Sequence, residues 1–226
     1  VVTNECNLGG NPATFTADAL AIQTRGIFRP GCSLTLDDEN RGMVLQDGGQ
    51  IWTDPGVTLS TRLPMTWIGT SSKIGDGVWD LGGTARAASD GPLLVVSNGT
   101  LRAGSARPLV GASLTFAADA KFEADYVADP EDERATYGLV VNGTLTIEGA
   151  SLPVTVSLTG PAPSAFTQPL FTVWTDAAAT VMDKLALVEM PTYRSEIVTQ
   201  ESAFGGAAMT TISAKFTKRG FAVFIQ

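Results

Sequence analysis

Short apolar-rich segments recur along the chain. Most are four to seven residues long, and Gly, Asn, Asp or Pro separates them. They include "SLTLD" (33–37), "GMVLQ" (42–46), "QIWTD" (50–54), "VTLST" (57–61), "VWDLG" (78–82), "LLVVS" (93–97), "TLRAG" (100–104), "SLTFA" (113–117) and "KFEADYV" (121–127). Beyond these come "GLVVN" (138–142), "TLTIEG" (144–149), "LPVTVSLTG" (152–160), "PLFTVWT" (169–175), "TTISAKF" (210–216) and "GFAVFIQ" (220–226). β-Branched and aromatic residues bounded by turn formers predict strands, and this density of them predicts an all-β protein. One segment, "TDAAATVMDKLALVEM" (175–190), carries a helical alternative with Asp176 as its cap; "KLALVEMP" reads equally as a strand.

The arrangement of the strands is read from an internal echo. "VVSNGTLRAG" (95–104) and "VVNGTLTIEG" (140–149) share an apolar run, Asn-Gly-Thr-Leu and a closing glycine, with Asn98 and Asn142 44 residues apart. A β-solenoid coil takes about 20–30 residues, so the echo fits two coils of about 22. Asn and Gly tolerate the positive φ of a sharp corner. The Thr-Leu that follows starts a strand with Thr outward and Leu inward. A parallel β-solenoid with atypical capping ends is therefore the expected fold, with a β-sandwich or jelly roll as the alternative. Three segments follow: a cap over 1–41, coils over 42–160, and a β-rich cap or assembly segment over 161–226.

Composition narrows the chemistry. The 226 residues hold 23 acidic and 15 basic side chains, a formal charge of −8, and the Lys and Arg are scattered. An acidic chain with no basic run repels phosphate backbones, which argues against nucleic acid as a partner. Histidine is absent. That removes Ser-His-Asp and Cys-His catalysis and His-ligated metals. No apolar run reaches the 18 residues of a membrane-spanning helix. The chain's only two cysteines, Cys6 and Cys32, lie outside any C-x-x-C motif and read as a disulfide of an oxidising compartment. Such a bridge would contribute roughly 3–4 kcal/mol in the chain-entropy model. No signal sequence opens the chain, which reads as a processed, secreted one.

The remaining motifs reduce to loops. "DDENRG" (37–42) fails the calcium-loop pattern at its fifth and twelfth positions, occupied by Arg41 and Gly48. "DPEDER" (129–134) lacks the required glycine. "GDGVWD" (75–80) has Asp80 in place of the third glycine of a dinucleotide fingerprint. No metal or cofactor is expected. Trp52, Trp67 and Trp79 are candidates for a ligand-stacking face, against a plainer role in the core. The two Asn-Gly-Thr triplets match a glycosylation acceptor, but a corner turn explains them better.

"SSKIGDGVWDLGG" followed by "LLVVSNGTLRAG", "ASLTFAADAKFEA", "GLVVNGTLTIEG" and "LPVTVSLTG" resembles the autotransporter-associated β-strand repeat, over about residues 42–160. The resemblance implies a right-handed parallel β-helix on a bacterial surface or in secreted material. It implies a stalk or passenger scaffold and carries no catalytic motif. The C-terminal "GFAVFIQ" is apolar on both faces, with Phe221, Val223, Phe224 and Ile225 as a candidate assembly strand for head-to-tail association with further copies. The leading expectation is a non-enzymatic extracellular structural protein, a surface stalk or self-assembling fibre subunit. The alternatives are an adhesin or carbohydrate-binding module that takes a glycan, and a polysaccharide lyase. The lyase is disfavoured because no coil shows stacked acids beside an Arg.

Overall fold

The computed structural model describes residues 2, 4–82, 85–87, 92–103, 112–126, 138–158, 160–161, 163–204 and 206–219, without the side chains of residues 5, 6, 85–87 and 204. The chain winds as a parallel β-solenoid. Strands β1 (Thr16–Ile22), β2 (Ile27–Phe28) and β3 (Leu34–Leu36) form one turn. They are followed by β4 (Arg41–Leu45), β5 (Gln50–Trp52) and β6 (Thr58–Thr61), then β7 (Met65–Trp67), β8 (Thr70–Ile74) and β9 (Val78–Leu81). Next come β10 (Ala85–Ala87), β11 (Leu93–Ala103), β12 (Ser113–Asp125), β13 (Leu139–Val140), β14 (Leu145–Ile147) and β15 (Leu152–Ser157). One sheet stacks β1, β4, β7 and β10. The other stacks the remaining strands up to β15, except β13, and continues to β17 (Leu185–Leu187). Both ladders are parallel, so each turn takes its backbone hydrogen bonds from the turns above and below.

The registers place like side chains in columns. Leu34, Leu59, Trp79, Leu101, Phe122 and Val154 form one inward column, and every one of them is buried. Successive members from Leu59 to Phe122 are 20 to 22 residues apart, close to the expected coil length. The stack begins at Thr16, inside the segment expected to be a cap. Capping falls instead to the residues before it. Val2 bridges Pro30, and a 3-10 turn over Glu5–Leu8 lies against β3. Arg41, 1% exposed, donates to the carbonyls of Leu8, Gly9 and Gly10. Cys32 is exposed, and no disulfide joins the described side chains; Cys6, whose side chain lies outside them, leaves the expected pairing there as well.

The far end departs from pure coils. Strand β16 (Ala165–Trp174) pairs in parallel with β13, then antiparallel with β19 (Ala207–Lys218), which pairs antiparallel with β18 (Tyr193–Phe204). Gly206, at φ +82°, sits in the tight turn between the last two. Helix α1 covers only Ala178–Met182, its N-cap is Ala177 without a side-chain bond, and "KLAL" forms β17. Asp176 is therefore not the cap, and 175–190 holds both a short helix and a strand. Aromatic rings bind this end to the coils: Phe171 lies 4.4 Å from Phe122 and 6.1 Å from Phe116, and Phe166 lies 4.6 Å from Tyr126. The candidate assembly strand, 221–225, lies outside the described residues, as does "DPEDER".

Candidate functional site

Strand β8 reads Thr-Ser-Ser-Lys-Ile, and simple alternation would turn Ile74 inward. The ladder does the opposite. Lys73 pairs between Ile51 and Val96 and is fully buried, with Ser71 beside it, while Ile74 faces out half-buried. The lysine is inward because its ammonium reaches the next corner. Its Nζ donates to the carbonyl oxygens of Gly77 and Asn98, each at 2.8 Å, and to that of Gly75. Three donors meet three acceptors, so the buried charge is satisfied. Burial pulls the ammonium down to about 8 from its ordinary 10.5, and the charge of Asp76 opposes that shift.

Asn98 completes this corner. Its Oδ1 accepts from the Gly75 N–H and its Nδ2 donates to Asp76, both at 2.9 Å. Gly99 follows at φ +71°. A Cβ there would run into the Gly75 and Gly77 carbonyls and the Lys73 amine. The first Asn-Gly-Thr-Leu thus locks the turn before it. The second sits differently. Gly143 is outside the left-handed region, and Leu145 stacks beside Leu114, whereas Leu101 stacks beside Phe122. The two phrases do share an inward leucine, and they sit two strand layers apart. They occupy different columns, so 44 residues is not the vertical repeat.

The outer face carries a charge ladder. Ser60, Asp80, Arg102 and Glu123 are in register on successive strands β6, β9, β11 and β12. Arg102 pairs with Glu123 at 2.9 Å, Ser157 donates to the same carboxylate at 2.6 Å, and Ser60 donates to Asp80 at 3.1 Å. Acids do stack beside an arginine, contrary to the sequence reading, because the acids and the arginine come from three separate turns. Asp80 is 6% exposed. The carboxylates serve the arginine and hydroxyls around them, which is a tie between layers.

The tryptophans do not form a stacking face. Trp67 and Trp79 are 1% and 0% exposed and fill the core. Trp79 donates its indole N–H to Thr61 at 3.0 Å. Trp52 alone is half-buried, and its ring is covered by the Arg29 guanidinium at 4.7 Å. Arg29 also makes two 2.8 Å bonds to Asp54, which hold that carboxyl below the usual range. In "DDENRG", Asp38 accepts from the Asn40 N–H at 2.8 Å and leads the chain into β4. Among the described residues no group of three or more Cys, Asp or Glu is placed to hold a metal ion, and no helix is long and apolar enough to cross a membrane. No family model matches the chain, and neither a curated protein nor a solved structure matches it.

Proposed function

We propose that the chain is a non-enzymatic extracellular structural protein, a bacterial surface stalk or the subunit of a self-assembling fibre. One observation carries this reading: the buried and half-buried charged side chains Lys73, Asp80, Arg102 and Glu123, in register with the stack, are spent on the stack. Lys73 closes a corner from inside, and the Ser60–Asp80, Arg102–Glu123 and Ser157–Glu123 bonds tie neighbouring turns from outside. A catalytic centre needs a group left over for substrate, within reach of it. The resemblance of residues 42–160 to the autotransporter-associated repeat supports the same reading. Electron microscopy of the purified protein is the test. Filaments or end-to-end chains of rods are expected at high concentration, and deletion of 220–226 abolishes them while leaving the fold. Strictly isolated short rods, with glycan-array binding or unsaturated products released from a polysaccharide, would replace this reading by an adhesin or a lyase.

A further inference from the structure

The open end of the β18–β19 hairpin gathers three cations from two distant stretches of the sequence. Arg194 pairs directly with Thr217, and Lys218 and Arg219 follow on the neighbouring strand. These four residues line a cleft of about 550 Å³, and all are exposed. The backbone beneath them is fixed. The Lys218 N–H donates to Ser164 at 2.8 Å, the Arg219 N–H to Thr192 at 2.9 Å, and the Tyr193 hydroxyl to Pro163 at 2.6 Å. The Arg219 Nε is anchored on the Tyr193 carbonyl at 3.0 Å, which leaves its two terminal nitrogens for another acceptor.

Among the described residues none of Arg194, Lys218 and Arg219 has an acidic partner. The nearest acid on the hairpin, Glu196, is paired with Lys215 at 2.8 Å. Three unneutralised cations in one cleft stand out in a chain of charge −8. A hydroxyl at Thr217 and two guanidinium groups match the acceptor geometry of a tetrahedral oxyanion. We propose that this cleft binds a phosphate group, using Arg194 and Arg219 as clamps, Lys218 as a point charge and the Thr217 hydroxyl as a donor. The cleft volume admits the phosphate together with part of the molecule that carries it.

The test is calorimetric titration of the whole protein with inorganic phosphate at low ionic strength, paired with flotation on phosphatidylcholine vesicles with and without phosphatidic acid. Saturable binding is expected. It should weaken about tenfold or more in Arg194→Gln/Arg219→Gln and in Lys218→Gln to a lesser degree. Lys121→Gln, an exposed lysine on β12, should bind as the wild type does. Flotation that needs phosphatidic acid and is competed by phosphate identifies a lipid headgroup. Phosphate binding without flotation identifies a small phosphorylated molecule. No saturable binding in either assay overturns the proposal. So does an equal loss in Lys121→Gln, which would reduce the effect to net charge, or unchanged affinity in a folded double variant.

Discussion

Lys73 and Gly99 make one corner, and each tests a different part of it. Lys73→Met fits the apolar column between Ile51 and Val96 but leaves the Gly75, Gly77 and Asn98 carbonyls without their donor. A loss of about 1–3 kcal/mol in denaturant unfolding is expected. A gain in stability would mean that the desolvation of the ammonium outweighs its bonds. The same group predicts a pH effect. Its folded value is about 8 against an ordinary 10.5, so between these values the unfolded chain binds more protons than the folded one. Stability from this group is therefore present above about 10.5 and lost as pH falls through about 8. The melting temperature of the wild type should rise across that window relative to Lys73→Met; parallel curves would remove Lys73 as the cause. Gly99→Ala places an L residue at φ +71° and drives its Cβ into the carbonyls that Lys73 holds. The left-handed backbone alone costs about 1–2 kcal/mol, and the clash adds to it. Melting within a degree of wild type would show that this turn relaxes freely.

At the level of elements, the hairpin sheet is joined to the coils through aromatic rings more than through backbone pairing. Among the described residues, backbone pairing of β13 with β16 is limited to Leu139, Val140 and the Val141 N–H bond to Thr172, while Phe171 meets both Phe116 and Phe122. Phe171→Ala should cost about 3–5 kcal/mol. Hydrogen exchange should then rise in β18 and β19 before it rises in β5 and β8. Unchanged protection of the hairpin would assign the joint to the strand pairing. Several of the strands legible in the sequence, β11, β12 and β15 among them, have a buried face opposite a more exposed one, while β4 and β16 were legible as apolar runs buried on both faces. Leu114, Phe116 and Phe122 alternate with polar or small residues in "SLTFA" and "KFEAD", and their inward parity is what the pattern predicts. Strands β1, β2, β7, β8, β10 and β18 escaped the reading. In β8 a lysine takes the inward slot, so the pattern points the wrong way. In β18, "YRSEIVTQESAF", residues on both faces are largely exposed, and no alternation survives. The Gly-Gly pair at 205–206 is a hairpin signal in the sequence, but without a recognised first strand it had nothing to join. The outer charge ladder was equally hidden, since its members are about 20 residues apart and only the stacking of turns brings them into line.

A solenoid is nearly one-dimensional, so its two ends decide whether it stays single. The near end is folded over by Val2 and residues 4–11, with Arg41 holding the loop by its carbonyls. The far end presents β18, a 12-residue strand at the edge, among the described residues, of the sheet ordered β13, β16, β19, β18. An edge this long offers a row of unpaired backbone groups to any extended neighbour. What opposes pairing is charge. Arg194, Glu196 and Glu201 lie along the edge, and two copies of a −8 chain repel one another as a whole. If association proceeds end to end, it must therefore depend on ionic strength, since the Debye length falls from about 10 Å at 0.1 M to about 3 Å at 1 M. Light scattering should show assembly growing as salt is raised. Glu196→Thr/Glu201→Thr removes two negative charges from the edge while keeping β propensity, and should assemble at lower salt than wild type. A double variant that remains monomeric at every salt concentration, while wild type assembles, would place the contact away from this edge. Assembly of both proteins that weakens with salt would show instead that complementary charges, rather than a screened edge, bring the ends together.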